Sequence, residues 1–314
     1  MIQTFAGASC TCTSALRRLD FKWSLLVAMI FLDTVWLLAK GWSIQQSSLY
    51  GSIFLATSFL APLSIKRYRR DDIIFTLCEA VIYSLFLAEA SAILSYLVVS
   101  TNFNLVDQSL ARFDEFLGFN WGDYYRWAVS HHTYYHVIRA AYESLAAQTW
   151  LVIIYLCFTK RTTRVREFLE LSASLIAASI LLSLFFPAEG AAKFYAETVH
   201  ADVSAWSHFE ALRSGSMNII DLNSMQGLVS IPSVHTVMAI LFCWAVRRTP
   251  IAVVIIPLNL ALLLSTPVVG GHYITDVLTG GVLTFAAITL RQVILLRQSG
   301  VRDRDGISGT RHIA

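Results

Sequence analysis

The chain has 314 residues, 56% of them hydrophobic and only 14% charged, with a mean hydropathy of +0.58. Soluble domains carry about a quarter charged residues, so this composition places the chain among membrane proteins. The formal net charge of +3 is small, and no Lys/Arg-rich face is interleaved with aromatics, which argues against nucleic acid as a partner.

Residues 1–21 contain no apolar run of a cleavable signal and read as a disordered tail, with acylation of Cys10 and Cys12 ahead of the Arg17-Arg18 pair as the alternative. A spanning helix needs about 20 mostly apolar residues. Segments that meet or approach this are 22–41, 50–65, 73–99, 137–158, 167–186, 233–248, 251–268 and 273–295. The expected fold is therefore all-α, a polytopic membrane bundle of about eight spans. The first two, within 22–72, are accessory; 73–295 forms a six-helix core, and 296–314 a second tail. Two long outer segments interrupt the core. One, 100–136, carries Phe103, Phe113, Phe116, Phe119, Trp121, Tyr124, Tyr125 and Trp127, a density suited to helices lying in the headgroup layer. The other, 187–231, is mixed in polarity. Of the five cysteines none has the paired spacing of a zinc site, and the odd count argues against a disulfide framework.

Basic residues set the orientation. All but Lys40, Arg112, Arg126, Arg139, Lys193 and Arg213 of the 24 fall on one side of such a bundle. Short cytoplasmic loops collect Lys and Arg, so both termini are expected in the cytoplasm of a multi-pass cell-membrane protein.

Two strings carry chemistry. Ser230-Ile231-Pro232-Ser233-Val234-His235-Thr236 opens the sixth span. Pro suits a first helical turn and Ser230 a cap, so the helix start offers N–H groups and a positive dipole end to a phosphate. Ser265-Thr266-Pro267-Val268-Val269-Gly270-Gly271-His272-Tyr273-Ile274-Thr275-Asp276 leads into the eighth. The Gly pair permits close backbone approach. His272 and Asp276 are four apart, so the carboxylate can take one imidazole N–H and leave the other nitrogen to attack. Topology puts His235, His272 and Asp276 together at the outer mouth, where ionisable groups are costly and mark function.

Pro232-Ser233-Val234-His235 and His272-Tyr273-Ile274-Thr275-Asp276 resemble the second and third signature motifs of the type 2 phosphatidic acid phosphatase superfamily. Thr266 stands where the common third motif has Arg, Val234 where the second has Gly, and the first motif is absent. These departures, and more weakly Leu117-Gly118-Phe119-Asn120-Trp121, resemble the inositolphosphotransferase branch, which includes inositol phosphorylceramide synthases. The resemblance implies a metal-independent enzyme without cofactors, acting on a membrane lipid phosphoester through a phosphohistidine at the outer face. His272 would be the nucleophile, Asp276 its orienting partner and His235 the general acid. The group would pass to water, as in a phosphatase, or to a lipid or sugar hydroxyl, as in a transferase.

With two motif arginines missing, phosphate binding falls to Ser233, Gly270, Gly271, Lys193 and Arg213, the last two in the loop feeding the active helix. His200, Asp202, His208 and Glu210 match no compact metal-ligand spacing. His131, His132 and His136 read as interfacial, and Asp33, Glu79, Glu89 and Glu143 lie in or near spans, where acids are functional candidates. A transporter would need charges threading several spans, but the inner halves of the spans from 137 on are nearly charge-free. A non-catalytic lipid-binding relative is the other alternative.

Overall fold

A computed structural model describes residues 21–201 and 207–308. Its helices begin with α1 Phe21–Lys40, α2 Gln46–Ser64, α3 Lys66–Arg69, α4 Asp72–Val99, α5 Asp107–Phe116, α6 Trp121–Ser130, α7 His132–Glu143 and α8 Leu145–Phe158. They continue with α9 Thr162–Phe185, α10 Ala191–Phe194, α11 Ala196–Val199, α12 Ser207–Arg213, α13 Val234–Ala245, α14 Ala252–Val269 and α15 Ile274–Ser308. Two short strands, β1 Ser43–Ile44 and β2 Ile219–Ile220, pair in parallel. Helix accounts for 77% and strand for 1%, so the all-α class holds. The expected tail cysteines Cys10 and Cys12, and Asp202, lie outside the described residues.

Every segment expected to span is helical, 137–158 as the two helices α7 and α8. Five pass the tests of length and apolarity: α1, α4, α9, α14 and Ile274–Arg297 of α15. The bent pair α7–α8 passes the same tests only when its two helices are taken together. The bend of 54° falls at Ser144, whose hydroxyl bonds back to the Ala141 carbonyl, a known cause of helix bending. At 12 residues α13 reaches only about 18 Å, short of the roughly 30 Å hydrocarbon layer. Phe31 and Leu38 on α1, Val253 on α14 and Val282 on α15 are exposed, as lipid contact requires and water disfavours. The chain is a multi-pass membrane protein.

The chain divides into two compact units. The first takes residues up to Asn102, Trp150–Ile180 and Ser204–Leu228. Helix α4 starts where the Asp71 side chain accepts from the N–H groups of Ile73 and Ile74, at 3.0 and 3.1 Å. Helix α1 runs beside it in parallel: Lys22 Nζ meets Glu79 at 2.9 Å, Trp23 Nε1 donates to the same carboxylate, and Lys40 Nζ donates to the Ser100 carbonyl. Lys22 is fully buried, so losing one partner of its pair costs about 3–5 kcal/mol. Leu37, Tyr96, Phe209, Leu212 and Ile220 form the apolar core at the β1–β2 end. There the Tyr96 hydroxyl meets His208 Nδ1 at 2.7 Å and accepts from Gln226 N at 2.8 Å.

The second unit takes Phe103–Thr149, Leu181–Val203 and the chain from Val229 on. Ala141, Ala239 and Leu262 form the seam of α7, α13 and α14. Residues 100–136 form two amphipathic helices, α5 and α6, a turn at 117–120 and the start of α7. Gly118 sits there at φ +79°, Asn120 caps α6 by accepting from Asp123 N, and Trp121 Nε1 donates to the Pro267 carbonyl at 3.0 Å. The Trp121 ring stacks between Tyr125 and Tyr195. Phe113 and Phe116 are exposed. The opposite face of α5 buries two aspartates, Asp107 and Asp114.

Candidate active site

Both sequence motifs enter their helices within the second unit. Ser233 caps α13, its hydroxyl accepting from Thr236 N at 3.4 Å. Pro232 therefore precedes the cap instead of opening the first turn, and Ser230 does not cap the helix as expected. A side chain one residue before the first turn reaches the N2 and N3 donors, and Ser230 is too far back. Its hydroxyl donates instead to Asp276 Oδ2 at 2.7 Å. Helices α13 and α15 meet at Gly280, where a Cβ would come 2.8 Å from the Ser233 carbonyl. Gly280 is one turn beyond Asp276, so the absence of a side chain there lets the two motifs approach. The Ser233 N–H then donates to the Asp276 carbonyl at 3.1 Å.

The stretch before α15 is shaped by glycine. A Cβ on Gly270 would lie 2.7 Å from the Thr266 carbonyl and 2.8 Å from the Tyr142 ring, and Gly271 takes φ +65°. His272 lies ahead of the helix, which begins at Ile274, so its partnership with Asp276 is not that of two residues on one helical face. It arises from the turn. Tyr273 N donates to Asp276 Oδ2 at 3.1 Å, the N3-carboxylate half of a capping box, while Asp276 N donates to the Tyr273 backbone carbonyl at 3.1 Å and closes the turn. That turn leaves the same oxygen 3.2 Å from His272 Nδ1. Asp276 is fully buried and His272 nearly so.

His235 is the second residue of α13. Its ring centroid is 6.3 Å from that of His272 and 4.0 Å from that of Tyr142, nearly parallel at 15°. The Tyr142 hydroxyl lies 3.3 Å from His235 Nδ1. With the rings stacked, that oxygen sits away from the nitrogen's in-plane lone pair, so stacking dominates the contact.

Two aspartates missed in the sequence hold this assembly in place. Asp107 accepts from Glu189 N and Gly190 N, each at 3.1 Å, and from the Tyr273 hydroxyl at 3.0 Å. Asp114 accepts from Ile274 N at 2.8 Å, from Thr275 N at 3.0 Å and from the Thr275 hydroxyl, which caps α15 from a distant helix. Burial pushes both carboxyls above the ordinary range, against the pull of these donors. Gly190, at φ +96°, passes so close to Gly271 that a Cβ would lie 2.9 Å from its carbonyl, and Ala192 N donates to that carbonyl at 3.2 Å. The 187–192 loop is thus bound to the His272 turn. The signal for the aspartates was their spacing: seven apart on α5 puts both on one face, and a buried Asp needs donors.

Gly270, Gly271 and Ser233 border the histidines in the sequence, and Lys193 lies in α10, next to the Ala192 N–H that bonds the Gly271 carbonyl, with Glu189 at 3.3 Å from its Nζ. Arg213 belongs to the first unit, where its guanidinium stands 5.7 Å over the Phe209 ring. Thr266, at the motif's Arg position, is fully buried and donates to the Leu262 carbonyl of its own helix. Arg126 pairs with Asp123 and Arg139 with Glu143, both at 2.7 Å near the surface. Among the described residues no group of three His, Cys, Asp or Glu is arranged to hold a metal ion.

Residues 108–290 match the family model of the PAP2 superfamily, over half of the chain. No curated protein matches the chain, and no solved structure does. With the two histidine motifs folded into one site inside the matched region, the chain belongs to the PAP2 superfamily, a membership that supports a phosphatase-type enzyme acting on lipid phosphoesters.

Proposed function

We propose that the protein is a membrane phosphotransferase, inositolphosphotransferase-like, that acts on lipid phosphoesters through a phosphohistidine without a metal. The observation that carries this is His272 Nδ1 at 3.2 Å from the buried Asp276 carboxylate, with the His235 ring 6.3 Å from that of His272. With Nδ1–H held by Asp276, Nε2 carries the lone pair and attacks phosphorus. The N–P bond forms, the bond to the leaving oxygen breaks, and His235 protonates that oxygen. A hydroxyl then attacks phosphorus, its proton passes to His235, and the N–P bond breaks to restore His272. The first-turn N–H groups of α13, the close backbone at Gly270 and Gly271, and Lys193 are the donors for the phosphoryl oxygens, with Ser233 setting the helix start.

The basic-residue distribution supports a site on the outer face of a cell membrane with both termini in the cytoplasm. Thr266 and Val234, where phosphatase motifs carry Arg and Gly, favour transfer to a lipid or sugar hydroxyl. Membership in the PAP2 superfamily supports the second reading, hydrolysis to free phosphate. Purified protein incubated with labelled phospholipid, with and without inositol or an acceptor lipid, separates the two. A new labelled lipid that depends on the acceptor supports transfer. Free phosphate alone, unaffected by acceptor, supports hydrolysis. His272→Ala should abolish both, and substantial residual turnover would rule out the nucleophile.

A further inference from the structure

The first unit contains a cavity of about 450 Å³ lined wholly by its own residues. Leu55 on α2 and Leu85, Ala88 and Ala92 on α4 form its apolar walls, and Glu89 and Asn223 bring polar groups to it. The volume is that of a ligand site, which typically spans about 300–1,000 Å³.

Glu89 distinguishes this cavity from a packing gap. It lies within a helix apolar enough to span the membrane, where a carboxylate is costly unless paired. Ten residues earlier on the same helix Glu79 meets that requirement through Lys22 and Trp23. Among the described residues Glu89 has neither a hydrogen bond nor an ion pair, and its side chain borders open space. A cation with N–H donors would satisfy the carboxylate, and an apolar chain would cover the Leu and Ala walls. An anionic head would set like charges together in a low-dielectric setting. We infer that this cavity binds a single-chain amphiphile with a primary ammonium head, the ammonium on Glu89 and the chain between α2 and α4.

The test uses the full chain in nanodiscs of zwitterionic lipid and three photoreactive probes with one long alkyl chain: an ammonium, an alcohol and a carboxylate. The ammonium probe should label peptides carrying Leu55 or Leu85, half-saturating at about tenfold lower concentration than the carboxylate probe, which corresponds to about 1.4 kcal/mol. Glu89→Gln, close to isosteric, should remove that preference, and Ala92→Leu, which fills the cavity, should reduce labelling by all three. Equal labelling by ammonium and carboxylate, an alcohol as effective as the ammonium, or an unchanged preference in Glu89→Gln would each overturn the inference. The probe comparison on the unsubstituted chain stands even if a variant fails to fold. Neither phosphate release nor His272 enters the readout, so its failure is distinct from failure of the proposed reaction.

Discussion

Helices α4 and α15 are both long spans whose first turn is held by an aspartate, but the two aspartates come from opposite extremes of sequence distance. Asp71 caps α4 from the adjoining residue. Asp114 caps α15 from a separation of 160 residues, with Asp107 fastening the neighbouring turn through Tyr273. A local cap stabilises one helix end and nothing else. A remote cap also fixes where that helix starts relative to another element, and the start of α15 is where His272 and Asp276 sit. The difference separates polar groups that only begin a helix from those that assemble a site.

Substitutions can break or sharpen that contrast. Asp114→Ala removes an acceptor serving two N–H groups and a hydroxyl, and should destabilise the protein by about 2–4 kcal/mol. Displacement of the His272 turn should also lower turnover by about a hundredfold. Thermal unfolding in detergent and initial rates check the two effects together. Gly280→Ala drives a methyl against the Ser233 carbonyl and should cost about 1–3 kcal/mol, with a loss of turnover that a thermal shift alone does not account for.

A third test uses pH. Burial raises the Asp107 and Asp114 carboxyls in the folded protein. Between the ordinary carboxylate pKa of about 3.9 and the raised folded value, the folded state holds more protons than the unfolded state. The unfolding free energy from these groups therefore falls as pH rises through that window. Asp107→Asn should flatten this part of the stability–pH curve, and an unchanged slope would contradict the burial argument. The smallest effect belongs to the local cap. Asp71→Ala should cost about 1 kcal/mol and leave turnover as it was.

The same contrast explains what could be read in the sequence. Spans and the two histidine motifs are periodic or local features, and they fold as helices and helix entrances where expected, whereas the expected basic loops are partly helical, Lys66–Arg69 as α3 and Arg164 and Arg166 in the first turns of α9. The turn string Leu117–Trp121 was visible as a weak likeness, but not its purpose, because Trp121 reaches Pro267 across a separation of 146 residues. Asp107 and Asp114 look like the polar stripe of an interfacial helix until their backbone donors are known. Ser230 has the composition of a cap, and only the crossing at Gly280 brings it to Asp276 instead. Thr266 reads as a lost phosphate ligand, and the structure gives it a helix carbonyl to bond.

The central claim is that His272, oriented by Asp276, carries the phosphoryl group. Rapid quenching after addition of a phosphate-labelled lipid, followed by mapping of the bound label, tests it most directly. The peptide containing His272 should carry an acid-labile, base-stable label, present in Asp71→Ala and absent from His272→Ala. A label that persists in His272→Ala, or turnover by the unsubstituted protein with no labelled His272 peptide at any quench time, would contradict it.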